Sequence, residues 1–188
     1  MSWTTPIALP VELYLPAPYT VSQAYDVNNG GWIAGEMYDP AGEQRWKAVL
    51  WGPGGAFCSL HPPGQTESVA LGVDEVHSYT VLVAGTALPL MKPIIWRVDV
   101  TTCAFTYETI DVYAGDATDV RYVAGSWEAV GADDEFFRGQ PAWWSSDGSS
   151  ELLYGKQGDT YAINGAGHIV GWRDHAGPKP VLWVPGGN

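Results

Sequence analysis

The sequence predicts an all-β fold: a small β-propeller of four blades, each of four short antiparallel strands, the last blade closed by the N-terminal strand. Three observations predict it. The 188 residues hold 23 Gly, 14 Pro, 10 Trp and 10 Tyr against only 16% charged residues. In such a mixture Gly and Pro punctuate turns, while aromatic and β-branched residues suit strands. One short pattern also recurs four times along the chain. Its last copy lacks a final segment, and a match to that segment stands at the N-terminus.

The innermost strand of each blade carries an apolar residue in a shared frame: "AYDVN" at Val27, "ALGVD" at Val73, "ATDVR" at Val120 and "TYAIN" at Ile163. The second strand holds a repeated glycine, "WIAG" at Gly35, "VLVAG" at Gly85, "YVAG" at Gly125 and "HIVG" at Gly171. Glycine there is expected to permit close packing or an unusual backbone angle. The third strand opens on Pro93, Pro141 or Pro180 in three blades, where a missing N–H costs nothing. It ends in Trp51, Trp96, Trp144 and Trp183, large wedges expected to pack between blades. Nine residues further on, Leu60, Phe105 and Leu153 mark the fourth strand. "ELYLPAP" around Leu15 matches "FCSLHPP" around Leu60 and supplies the fourth strand of the last blade. The blades then cover about 24–61, 70–106, 117–154 and 160–188 plus 11–16, within one domain, 1–188. A closed ring removes the strand edges that an open array exposes. Because the closure works within one chain, a monomer is expected.

The pattern "AYDVNNGGWIAG…AVLWGPGG" resembles the HAF repeat family of bacterial repeats. That family has an Ala-x-Ile/Val-Asn-x-x-Gly-x-Ile/Val-x-Gly core and a downstream Leu-Trp. Blades one and four match it well. Blade two lacks the Asn and the first Gly, and blade three is shortened between Val120 and Gly125. The resemblance implies architecture and a link to secreted proteins, and it implies no activity for any residue.

Charge narrows the partners. The net charge is −12, from 21 acidic against 9 basic residues, which disfavours nucleic acid and anionic membranes as partners and favours a basic protein or a cation. No apolar run is long enough to span a bilayer. The first residues lack the basic region and apolar core of a signal peptide. A cytoplasmic location is therefore expected, a secreted one being the alternative if a signal peptide has been removed. Cys58 and Cys103 share a repeat position on the outer strands of successive blades. Such strands point apart, so two free thiols are expected rather than a disulfide.

Motifs narrow the chemistry. The sequence contains no Gly-x-Ser-x-Gly, phosphate loop, His-Glu-x-x-His or Gly-x-Gly-x-x-Gly. No enzyme, catalytic residue, metal site or cofactor is expected. Asp26 and Asp119 share a frame on the innermost strand, where they could face the central channel and a cation.

In a repeat fold the copies hold the scaffold and the deviations carry specificity. From repeated Gly to repeated Trp the distances are 16, 11, 19 and 12 residues, so blade three carries the longest loop between second and third strands. That loop, Glu128 to Gln140, sets Asp133, Asp134 and Glu135 beside Phe136 and Phe137. Blade one adds Tyr38, Asp39, Glu43 and Trp46, and blade four adds Trp172, Arg173 and Asp174. Trp127, outside the repeated Trp frame, is read as a further exposed contact. Together they predict an acidic, aromatic-rich face on which charge steers a protein partner and aromatic side chains anchor it. The sequence thus reads as a non-enzymatic binding protein with a basic protein partner, in its most specific form an inhibitor or immunity protein for a basic toxin. The alternative is a secreted carbohydrate-binding module, since exposed Trp and Tyr near Asp and Asn suit sugar stacking and hydroxyl recognition.

Overall fold

The computed structural model describes residues 12–40, 45–89, 91–112, 114–133, 139–153, 157–174 and 176–185. Short runs of β-branched, aromatic and small residues, cut by Gly and Pro turns, fold there into four antiparallel meanders. The first sheet is β1 (Val21–Val27), β2 (Ile33–Asp39), β3 (Arg45–Trp51) and β4 (Phe57–Ser59). The second is β5 (Glu67–Val73), β6 (Thr80–Leu88), β7 (Lys92–Asp99) and β8 (Phe105–Thr109). The third is β9 (Gly115–Val123), β10 (Ser126–Asp133), β11 (Gln140–Ser145) and β12 (Ser150–Leu152). The fourth is β13 (Gly158–Ile163), β14 (Ile169–Asp174) and β15 (Pro178–Trp183). The all-β prediction and the four-fold repeat of antiparallel sheets both hold.

Register explains the repeated glycine and corrects one of its positions. Each inner strand skips one residue against the second strand, at Tyr25, Leu71, Thr118 and Tyr161. Such a bulge bends the inner strand toward its neighbour. Opposite each bend stands a glycine: Gly35, Gly85, Gly131 and Gly171. A Cβ on these would lie 2.1, 1.9, 1.9 and 2.0 Å from the carbonyl oxygens of Gln23, Val69, Asp116 and Asp159. Close backbone approach therefore demands glycine at all four. In the third sheet that residue is Gly131 and not Gly125, which sits in the tight β9–β10 turn at φ +92°. The span from glycine to Trp144 is then 13 residues rather than 19. Glu128 to Asp133, expected in a loop, belong to β10. Six residues separate β10 from β11, against five, three and three between the second and third strands of the other sheets.

Each sheet packs on the next, and the repeated Trp faces the sheet before it. Trp96 joins Leu50, Leu60, Ala70, Val83 and Ile94 in the core between the first and second sheets. Trp144 lies with Leu82, Ile95, Ala117 and Trp127 between the second and third. Trp183 packs near Val130, Leu153 and Ile169 between the third and fourth. The wedge role read from the repeat is the observed one for these three, while Trp51 meets Leu13, Leu15 and Tyr19 in place of a preceding sheet. Carboxylates staple every seam, the second through Asp74, which accepts the Tyr122 N–H across it. Asp26 accepts the backbone N–H of its own neighbour Val27 (2.8 Å) and of Val73 on the next sheet (2.9 Å). Asp119 does the same with Val120 (2.8 Å) and Ile163 (2.8 Å).

Two expectations change. Cys58 and Cys103 form a disulfide, with Cα atoms 5.2 Å apart. Shared frame does not mean shared direction here. Cys103 sits in the turn before β8 at φ +59° rather than on the strand, so its thiol turns toward the first sheet. The bond welds the first two sheets together. The N-terminal strand is also not found on the fourth sheet, which has three strands among the described residues. Residues 12–16 form no strand. Leu13, Leu15 and Tyr19 instead pack on Met37, Val49 and Trp51 of the first sheet, and the Trp51 indole Nε1 donates to the Tyr14 carbonyl at 2.8 Å.

Candidate functional site

Inner-strand ends meet from sheet to sheet, the Val73 N–H on Asp26, the Tyr122 N–H on Asp74 and the Ile163 N–H on Asp119, so the antiparallel second strands all end on the opposite side, where most of the described sequence-predicted residues lie. On the first sheet Tyr38 and Trp46 are cross-strand partners, their rings 5.4 Å apart and tilted by 58°. Such a pair adds stability beyond its area and leaves a ring face toward solvent. Both are half-buried. Asp39 extends this rim opposite Arg45. Burial, with Asp39 nearby, raises the Tyr19 hydroxyl above its ordinary pKa, and Tyr19 packs with Met37 on the face of the first sheet opposite Tyr38 and Trp46. Asp133 ends β10 opposite Gln140. Trp172, Arg173 and Asp174 end β14, half-buried. The Asp174 carboxylate accepts the Gly177 N–H at 3.0 Å and shapes the turn. Glu43, Asp134, Glu135, Phe136 and Phe137 lie outside the described residues.

Trp127 does not belong to this side. It starts β10, at the opposite end of the strand, and is only 4% exposed in the core between the second and third sheets. Lying outside the repeated Trp frame is no sign of exposure here, because β10 begins at Ser126, after the Gly125 turn, and turns Trp127 into the core.

Two features escaped the sequence reading. Glu36, in the middle of β2, is 6% exposed and accepts a 2.6 Å hydrogen bond from the Tyr25 hydroxyl. Burial raises its pKa, the Tyr25 bond opposes that rise, and Glu67 adds to it. The same contacts push the Tyr25 hydroxyl upward. The corrected repeat places Thr86, Ala132 and Trp172 in the Glu36 frame, so the deviation was visible once Gly131 is aligned. The second feature is a cleft of about 580 Å³ between the third and fourth sheets. Trp143 and Trp183 wall it, and Arg121 and Glu128 meet in it at 2.5 Å. The Trp143 Nε1 donates to Glu128 at 3.3 Å, and Arg121 also donates to the Gly165 carbonyl at 2.8 Å. This pair is half-buried, shielded from full solvent screening, and held in place from several sides.

Asp26 and Asp119 serve the fold. Burial first, with Asp26 and Asp74 nearby, pushes the Asp119 carboxyl up to about 7, against the opposing pull of its two N–H bonds. Among the described residues no group of three or more His, Cys, Asp or Glu side chains could hold a metal ion.

No family model matches the chain, and no curated protein matches it by sequence. Solved structures match it by shape. One is TolB from Acinetobacter baumannii, with 16% identity and a TM-score of 0.52 over 88% of this chain and 40% of that one. Another is a chain of a mitotic checkpoint complex, with 11% identity and a TM-score of 0.51 over 98% of this chain and 61% of that one. The chain spans less than two thirds of the length of either. At such identities the likeness shows the fold: a propeller-like succession of antiparallel sheets. Among the described residues no helix is long and apolar enough to cross a membrane.

Proposed function

We propose that this protein is a non-catalytic binding scaffold that holds a basic protein partner on the side where the second strands end. The observation that carries the reading is the Tyr38–Trp46 pair at the end of β2, next in the chain to Asp39, with Asp133 and the Trp172–Asp174 segment ending β10 and β14. Half-buried aromatic rings supply contact area at low entropic cost, and a chain of net charge −12 steers a cationic partner toward them. An inhibitor of a basic toxin is the most specific form of this reading. The disulfide supports an oxidising compartment over the cytoplasm. The test compares the tagged protein with Trp46→Ala and Asp39→Lys variants for capture of host proteins at low and high salt. A basic protein held by the wild type at low salt, and lost from both variants, supports the reading. Equal capture by all three proteins overturns it.

The cleft between Trp143 and Trp183 favours a second reading, a carbohydrate site, because two indoles and a fixed Arg–Glu pair suit stacking and hydroxyl recognition. A glycan array, followed by quenching of tryptophan fluorescence in the wild type and in Trp143→Ala, tests it. No bound glycan retires it.

A further inference from the structure

The repeat makes each sheet both a giver and a receiver. Its repeated Trp receives the sheet before it, and its opposite face meets the sheet after it. Three seams inside the chain satisfy this rule, and two faces are left over. The first is the receiving face of the first sheet. Trp51 stands there in the frame of Trp96, Trp144 and Trp183, yet what it meets is the segment holding Leu13, Leu15 and Tyr19. That segment occupies the place of an outermost strand from a preceding sheet. On the fourth sheet the Trp183 Nε1 donates at 3.1 Å to the carbonyl of Leu153, just past the outermost strand of the third sheet. On the first sheet the Trp51 Nε1 makes the same bond, at 2.8 Å, to Tyr14. The inner part of this face is bare, with Val27 59% exposed.

The second unmatched face is the giving face of the fourth sheet. Val170 and Leu182 are cross-strand partners in the frames of Ala34 and Leu50, which pack toward the following sheet in the first seam, and both are exposed. Leu182 is 58% exposed and the bulge residue Tyr161 is 60% exposed. Asn164 occupies the frame of Asn28, whose Nδ2 donates across the first seam to the Asp74 carbonyl at 2.7 Å. Among the described residues the Asn164 Nδ2 has no partner. The fourth sheet also has three strands where the others have four.

The two faces match each other in detail. The first and third sheets carry the stapling acids, Asp26 and Asp119, which satisfy the N–H groups of Val27 and Val120 on their own sheets. The second and fourth carry Gly72 and Ala162 in that frame and take their bond from the sheet before. A fourth sheet meeting a first sheet therefore finds the Val27 N–H already satisfied, as the second finds that of Val120; Asn164 stands in the frame of Asp74, which accepts the Tyr122 N–H, and Asn29, in the Tyr122 frame, gives its N–H to Glu75. Ala162 stands where a Cβ on Gly72 would come within 2.6 Å of the Thr118 carbonyl, so this junction is slightly wider than its counterpart.

We infer that two copies of this chain join head to tail through these faces into one closed ring of eight sheets. In that ring the residues 12–16 segment of each copy lies along β15 of the other and completes its fourth sheet. The same contact made twice about a two-fold axis closes without leaving a strand edge. Within one copy no core cluster among the described residues joins the fourth sheet to the first.

The experiment is native mass spectrometry with light scattering on the 188-residue chain, across concentrations from about 1 to 100 µM spanning ordinary dimer affinities. The expected mass is twice 20.3 kDa. A Leu182→Glu variant is expected to shift the mass to that of one copy at the same concentration, with an unchanged far-ultraviolet spectrum and an intact Cys58–Cys103 bond. A Val27→Glu variant attacks the other half of the same junction and should behave alike. A wild type with the mass of a single copy throughout overturns the proposal, and leaves these faces to closure within the chain or to further sheets of a longer chain. Larger open assemblies overturn the two-copy ring. A dimer that survives both substitutions places the contact elsewhere and also overturns it.

Discussion

The seam between the first and second sheets and the seam between the third and fourth are built on the same plan and filled differently. Both carry an aspartate that bonds two backbone N–H groups, Asp26 in one and Asp119 in the other. Both place a bulge opposite a glycine and a Trp toward the preceding sheet. The first seam is then packed solid with Leu50, Leu60, Val81, Ile94 and Trp96 and locked by a disulfide. The other keeps a small apolar cluster and opens into a cleft around the Arg121–Glu128 pair. Backbone geometry is thus the property of the repeat, while stability and binding belong to what each copy changes. A sealed seam can bear load. An open one trades burial for a concave, polar-lined surface.

The largest expected effect separates the two seams directly. Trp96 is fully buried, so Trp96→Ala should cost about 3–5 kcal/mol in urea unfolding. Trp183→Ala, at a half-buried site beside the cleft, should cost about half as much by the same large-to-small reasoning. Equal losses would break the comparison. Reduction of Cys58–Cys103, which closes a loop with a sequence separation of 45, should remove about 4 kcal/mol on the chain-entropy estimate. Hydrogen exchange should show the loss concentrated in the first two sheets, and protection lost evenly over all four would contradict a local weld.

Next come the glycines, where the seams should behave alike. Gly85→Ala and Gly171→Ala each drive a Cβ to about the same distance from a backbone carbonyl, and each should cost about 1–3 kcal/mol. A clear difference between them would show that the fourth sheet gives way where the second cannot. The prediction confined to one seam is a pH dependence. The folded Asp119 pKa, about 7, lies above that of an unfolded aspartate. The native state therefore holds a proton that the unfolded chain releases, so this group's contribution to stability falls as pH rises from about 4 to about 7 and is flat above that. Asp119→Asn should flatten the fall in urea melts across that range, and an unchanged slope would assign it to another group.

Several of these features were legible in the residues alone. The shared frame of Val27, Val73, Val120 and Ile163, with the Trp after it, specified four sheets and the face each Trp presents. Tyr38, Asp39, Trp46 and the Trp172–Asp174 segment lie beside the loops between second and third strands, as their place in the repeat predicts, because loop position follows from strand order. The sequence reading failed at Gly125, where an Ala-Gly dipeptide in a tight turn imitates the Ala-Gly of a strand. That slip moved Glu128 into a loop and Trp127 to the surface. Only the hydrogen-bond register, with Gly131 opposite Ala117, separates the two.

The sequence by itself determined the all-β class, the four-fold repeat and the wedge at the end of each third strand. These depend on residue type and period, and period survives whatever the strands later pack against. The tertiary structure decided the rest: the Cys58–Cys103 bond, the buried Glu36–Tyr25 contact, the Arg121–Glu128 cleft and the seat of the N-terminal segment on Trp51. Each joins residues distant in the chain through directions set by a bulge, a left-handed turn or a neighbouring sheet, and a linear pattern carries no record of such directions.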